Sequence, residues 1–149
     1  MKKIAILSVI LSALFLSGCS NPQLEEAKRK DAQFAAAVKA INLESADVGA
    51  EPKNYNAYVE DAIRAQLKDP DSAKFSGMTK PRKEVMVENR QFIYGYATCV
   101  LVNAKNSYGG YVGKQQYWAF IRDGKVLRLK NTNDQFGNMI FVGRSINCS

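Results

Sequence analysis

At Phe75 the hydrophobic period changes from 3.6 residues to 2, and this change constrains the fold more than any other feature of the chain. Before it, Tyr55, Tyr58, Val59, Ala62, Ile63 and Leu67 share one face at helical spacing, with Asn54 or Asn56 placed as the N-cap. The pattern predicts a helix that stops at Asp69-Pro70, where proline biases the preceding residue away from helical angles and suits the first position of a new turn through Ser72 and Ala73. Phe75 is expected to dock that turn onto the core. After Phe75, residues 85–88 read as a short strand and residues 92–103 as a long one rich in tyrosine and β-branched side chains. Residues 117–122 and 125–130 form a hairpin, because Asp123-Gly124 is the pair a two-residue type I′ turn prefers. Residues 141–146 supply the last strand. The expected class is therefore α+β, one main helix packed on a four- to five-stranded antiparallel sheet.

Both sides of the long strand are largely apolar. Phe92, Tyr94, Tyr96, Thr98, Val100 and Val102 lie on one side, and Ile93, Gly95, Ala97, Cys99 and Leu101 on the other. One side can meet the helix, while the small residues opposite permit close approach by a loop, a partner or a disulfide. Trp118 and Phe120 alternate with Tyr117, Ala119 and Ile121, so one of these sets belongs to the core. No internal repeat is visible.

The chain begins differently. Lys2 and Lys3 precede the apolar stretch 4–15, which matches the ~7–15 residues of a secretory leader and falls short of the ~20 needed to span a bilayer. It closes on Leu16-Ser17-Gly18-Cys19, which resembles the lipobox of bacterial lipoproteins. The resemblance implies a diacylglyceryl group on the Cys19 thiol, cleavage before Cys19 and acylation of the new amino terminus. It also implies palmitate-type anchoring in the cell envelope. By resemblance to known sorting, aspartate at position 20 would favour inner-membrane retention; Ser20 points instead to the periplasmic face of the outer membrane. Residues 1–18 are thus the signal peptide, 19–53 a lipidated tether and 54–149 the α+β domain. Within the tether, Leu24, Ala27, Phe34, Val38 and Ile41 make a narrow apolar stripe interrupted by Asp31, favouring a spacer helix over a coiled coil or an interfacial membrane helix. Residues 44–53, with Gly49 and Pro52, read as a linker.

Composition narrows the chemistry. The formal charge is +7, and loss of Lys2 and Lys3 with the leader lowers it by two. For an exported chain that balance suits anionic head groups, acidic surface polymers or an acidic protein, with no nucleic acid as partner. The chain has no histidine, which excludes Ser-His-Asp and Cys-His catalysis and the usual histidine metal ligands. With Cys19 given to lipid by the lipobox resemblance, Cys99 and Cys148 remain, and an exported protein with one such pair most simply bonds them. Closing a loop of about 50 residues is worth at most about 4 kcal/mol. A free redox pair is disfavoured by the lack of Cys-x-x-Cys spacing.

The densest candidate site is the run from Val102 to Gly113. Its residues Asn103, Lys105, Asn106, Tyr108, Gly109, Gly110 and Tyr111 mix left-handed turn formers with amphipathic contact surface, as adaptable recognition loops do. The competing reading is a wide hairpin connection whose tyrosines cover a sheet edge. Gly113-Lys114 is no phosphate loop, because Tyr108 and Gln115 stand where glycine and Ser or Thr belong, so no nucleotide is expected. Lys74, Lys80, Arg82 and Lys83 cluster around Pro81 and read as a solvated basic loop ahead of a docking patch. The acidic pairs Glu60/Asp61, Asp69/Asp71 and Glu84/Glu88 make neither a calcium loop nor a glycosidase pair, and no catalytic residue, metal or cofactor is expected.

The string from Leu67 to Phe75, Cys99 and the string from Asn103 to Tyr111 resemble an uncharacterised family of small exported bacterial proteins, over roughly residues 55–148. That resemblance implies a single domain and transfers no site. The expectation is a non-catalytic binding module for another envelope protein, in an assembly, immunity or exclusion role. A lipoprotein tethering membrane to cell wall and an envelope hydrolase are the alternatives.

Overall fold

The computed structural model describes residues 21–149, so Cys19 and the leader lie outside the described residues. Two compact units divide the chain, one ending at Gln33 and the other running from Phe34 to Ser149. Helix α1, Pro22–Lys39, crosses that boundary. Asn21 caps it: its side-chain oxygen accepts from the Gln23 N–H at 3.0 Å, and Pro22 sits where no N–H is needed. Glu25–Lys28 and Glu26–Lys30 pairs, at 3.0 and 2.7 Å, line the exposed start of the helix.

The second unit is α+β. Its helix α2 is Tyr55–Arg64, followed by a 3-10 turn at Pro70–Ser72. The strands are β1 Lys74–Ser76, β2 Arg82–Glu88, β3 Gln91–Asn103, β4 Gln115–Arg122, β5 Lys125–Asn131, β6 Met139–Phe141 and β7 Arg144–Ser145. Strands β1 to β5 form one antiparallel sheet in the order β1-β3-β4-β5, with β2 also paired to β3; β6 and β7 form a separate two-stranded sheet. Asn54 does stand at the N-cap of α2, but it is left-handed at φ 53° and its side chain makes no cap. Asp69 does cap: its carboxylate accepts from the Ser72 N–H at 3.3 Å, so the Pro70 turn forms as expected.

Register follows the two-residue period. Cys99 faces Trp118 across β3 and β4, and Val100 faces Tyr117. Val100, Val102, Ala119 and Ile121 therefore share one face with Val59 and Ile63 of α2. Ala97, Cys99, Trp118 and Phe120 share the other with Met86 and Ile140. Both alternating sets of β4 are core, because each sheet face has a cover. The Asp123-Gly124 turn has φ 50° and 71°, the left-handed pair of a type I′ turn.

Helix α2 ends at Arg64, short of the expected stop at Asp69-Pro70, because Gln66 and Leu67 bond back three residues in tighter turns; three further segments also depart from the sequence pattern. The expected last strand 141–146 is instead the β6–β7 hairpin, broken at Val142-Gly143, where φ reaches 92°. It joins the domain through Cys148, bonded to Cys99 with Cα atoms 5.7 Å apart. Strand β1 and the start of β2 lie hidden among turn residues. Gly77 and Pro81 interrupt the run, yet Thr79 bridges the gap: its N–H donates to the Cys99 carbonyl, its Oγ1 accepts the Cys99 N–H, and its carbonyl accepts the Thr98 hydroxyl at 2.6 Å. The segment 44–53 is fixed to the domain rather than a loose linker. Val48 and Pro52 are buried, and Asp47 meets Arg122 at 3.2 Å. Gly49 donates its N–H to Asp47, and this bond, followed by the Arg122 guanidinium, holds the Asp47 carboxyl below its ordinary pKa.

Candidate functional site

The connection from β3 to β4 is a small hairpin of its own. Lys105 and Tyr111 pair across it, and Asn106 builds the tip. The Asn106 side-chain oxygen accepts from the N–H groups of Tyr108 and Gly110 at 2.9 and 3.1 Å, while its own N–H donates to the Gly110 carbonyl at 2.9 Å. Gly109 turns the chain at φ 80°, and Asn103 closes the base by accepting from the Gly113 N–H at 3.1 Å. Asn103, Asn106, Gly109 and Gly110 are thus consumed in shaping the loop. Tyr108 is the residue they present, 96% exposed.

The base is pinned from the side. Ser72 Oγ accepts the Lys105 N–H at 2.8 Å, and the Tyr111 hydroxyl donates to the Ser72 carbonyl at 3.3 Å. The Tyr111 ring is flanked by two ammonium groups, Lys74 at 4.6 Å and Lys105 at 5.6 Å from its centroid. The structure therefore brings Lys74, one of the basic cluster, to the loop. It sends Arg82 elsewhere, to the carbonyls of Asn147 and Ser149, and Lys83 to Glu44 at 3.4 Å.

Beside the loop runs a trough. One section, of about 600 Å³, is lined by Gln66, Leu67, Lys68, Lys105, Val112 and Gln115, with Asn106 at its edge. A second section, of about 440 Å³, is lined by Leu129, Lys130, Gln135, Phe136 and Gly137. Gln66, Tyr117, Asn131 and Asp134 line both, so the two sections adjoin along these residues, Tyr117 among them. Burial, and then the Asp134 carboxylate, push the Tyr117 phenol above its ordinary pKa.

The far rim is the turn 132–138. Phe136 stands there at φ 60° and 67% exposed, an unfavourable backbone state for a bulky residue combined with an unburied ring. Gly137 makes the turn possible, because a Cβ on it would lie 2.0 Å from the Asn131 carbonyl oxygen. Such backbone strain concentrates at ligand clamps.

The sequence singled out the near rim of this trough and missed the rest. Leu67 reads there as core, Tyr117 as a member of one of two alternating sets of which one is core, and Val112 as part of a connection. Phe136 offered one faint signal, an aromatic amid the turn formers of Asn131-Thr132-Asn133-Asp134-Gln135-Phe136-Gly137. Among the described residues, no group of three His, Cys, Asp or Glu is placed to hold a metal ion, and no helix is long and apolar enough to cross a membrane. No protein-family model, no curated protein and no solved structure matches the chain.

Proposed function

We propose that this chain is an envelope lipoprotein held through Cys19 to the periplasmic face of the outer membrane, and that its domain is a non-catalytic binding module for another envelope protein. In this reading α1 is the spacer between the lipid and the domain, and α2 packs on the sheet as its permanent cover. Acylation supplies the membrane affinity, which leaves the domain surface for a partner.

One observation carries the binding role. Within residues 34–149 the exposed large hydrophobic side chains are Tyr108, Tyr111, Val112, Leu127, Phe136 and Val142, and three of these, Tyr108, Tyr111 and Val112, fall on the one β3–β4 loop. Apolar exposure gathered at one place marks an interaction surface, whereas single exposed side chains do not. Tyrosine contributes contact area at low entropic cost, and the Asn106 scaffold fixes Tyr108 before any partner arrives.

The test is crosslinking of the full, acylated chain in intact envelopes. Wild type is expected to give a saturable protein adduct that Tyr108→Ala and Tyr111→Ala each weaken by about tenfold or more, as loss of an aromatic anchor does. Equal adduct yield in wild type and both variants would overturn the role of this surface. Cys19→Ser is expected to release the chain from membranes; a membrane-bound Cys19→Ser chain would overturn the anchor.

A further inference from the structure

We propose that the trough beside the Tyr108 loop is a binding site for an anionic oligosaccharide, a ligand distinct from the protein partner of the exposed loop tip. Three features of the lining favour this class.

The first is unspent amide chemistry. Gln66 and Gln115 line the trough, Gln135 lies at its far section, and the side chains of all three make no hydrogen bond among the described residues. A primary amide offers a donor and an acceptor side by side. Neighbouring sugar hydroxyls, each both donor and acceptor, match that pair, and the Asp134 carboxylate adds further acceptors.

The second is aromatic surface within the same lining. Tyr117 lines both sections and Phe136 the far rim, and the C–H face of a pyranose ring packs against such rings while its hydroxyls reach polar neighbours. The strained backbone of Phe136 holds that ring out of the core, where folding alone gives it no reason to be.

The third is charge. Lys68 and Lys105 line the loopward section, and neither is paired with a carboxylate among the described residues. Asp134 lines both sections and Lys130 the other one, with the Lys130 ammonium already donating to the Met139 carbonyl. The loopward section therefore carries two lysines against one carboxylate, a net positive charge that selects a carboxylate- or phosphate-bearing sugar over a neutral one.

An extended peptide fits less well. Peptides commonly bind by adding a strand to a free sheet edge, where a ladder of main-chain groups awaits them. The loopward section instead crosses the ends of β3 and β4, from Lys105 past Gln115, and so presents side chains; only the other section touches the edge strand β5, over residues 129–131.

Titration of the full chain in detergent with a galacturonic acid tetramer, a phosphorylated lipopolysaccharide core oligosaccharide, an N-acetylglucosamine tetramer and a tetra-aspartate peptide separates the possibilities. At least one anionic saccharide is expected to bind saturably, more tightly than the neutral tetramer, and to shift the side-chain amide NMR signals of Gln66 and Gln115. Which anionic sugar binds better identifies the charged group recognised. Lys68→Gln with Lys105→Gln is expected to weaken binding by about tenfold or more, with steep loss in salt. Gln66→Ala, at an exposed position that leaves folding intact, is expected to weaken every saccharide that binds. No saturable binding by either anionic sugar, binding of the aspartate peptide at equal affinity, or unchanged Gln66 and Gln115 signals would each overturn the proposal. Because Tyr108→Ala leaves the trough lining intact, that variant should keep sugar binding while losing the protein adduct, so the two readings fail separately.

Discussion

The two faces of the sheet are closed by different means. On one, α2 lays Val59 and Ile63 against Val100, Val102, Ala119 and Ile121, all buried, and these core contacts are apolar. On the other, the 139–149 segment covers Trp118 and Phe120 with few apolar residues of its own, chiefly Ile140, Phe141 and Ile146. It compensates with fasteners. These are the Cys99–Cys148 bond, the Glu84–Arg144 pair at 2.5 Å, the Arg82 clamp on the carbonyls of Asn147 and Ser149, and the Lys130 bond to the Met139 carbonyl. A helix with a full apolar face needs no such aids; a hairpin of three- and two-residue strands does, since an isolated hairpin is marginal in water.

Truncation of a core residue should not distinguish the faces. Trp118→Ala on the hairpin side is expected to cost about 3–5 kcal/mol and Ile63→Ala on the helix side about 2–5 kcal/mol, read from urea unfolding midpoints. A small cost for Trp118→Ala would show that the hairpin does not close its face in solution. Loss of the disulfide should distinguish them. Cys99→Ala with Cys148→Ala is expected to cost about 2–4 kcal/mol, with amide exchange accelerating in β6 and β7 well before the β3–β4 ladder. Uniform acceleration across both faces would break the comparison, because the bond would then brace the whole domain.

The helix-covered face was the more legible in sequence, for a physical reason. Its elements are continuous and periodic, so Tyr55, Val59, Ile63, Val100 and Val102 declare their side by spacing alone. The hairpin face is assembled from short pieces. Residues 141–146 alternate well enough to suggest one strand, but Gly143 turns the chain inside the run. Asn89-Arg90 makes a second left-handed turn, φ 50° and 63°, that tertiary pairing of Glu88 with Gln91 imposes on an arginine no turn rule would select. The trough was least legible, because it joins residues from 66–68, 102–117 and 129–137, which meet only in three dimensions.

A smaller effect is expected at the ion pair. Glu84 and Arg144 are sheltered, and Glu84 also accepts the Val85 N–H at 2.8 Å, so Arg144→Met is expected to cost about 1 kcal/mol, within the range of partly exposed pairs. The loss should appear as faster exchange in β7 with β3 unchanged. If Arg144→Met instead matched the disulfide variant, the polar fasteners would rank with the covalent one.

The smallest effect lies at Asp47, which fastens the 44–53 segment through an exposed side chain. Its carboxyl is held below the ordinary value by the Gly49 N–H and then by Arg122, so the folded chain binds that proton less readily than the unfolded chain. The contribution is therefore complete above the unfolded value and disappears as pH falls through the lower folded one. Asp47→Asn keeps an acceptor for the Gly49 N–H but removes the charge facing Arg122. Wild type should exceed the variant slightly in urea midpoint at neutral pH, and the difference should close in acid. A difference that stayed constant down to strongly acidic pH would show that the carboxylate charge does not hold this segment. The segment's attachment would then rest on the burial of Val48 and Pro52, the apolar means that close the helix-covered face.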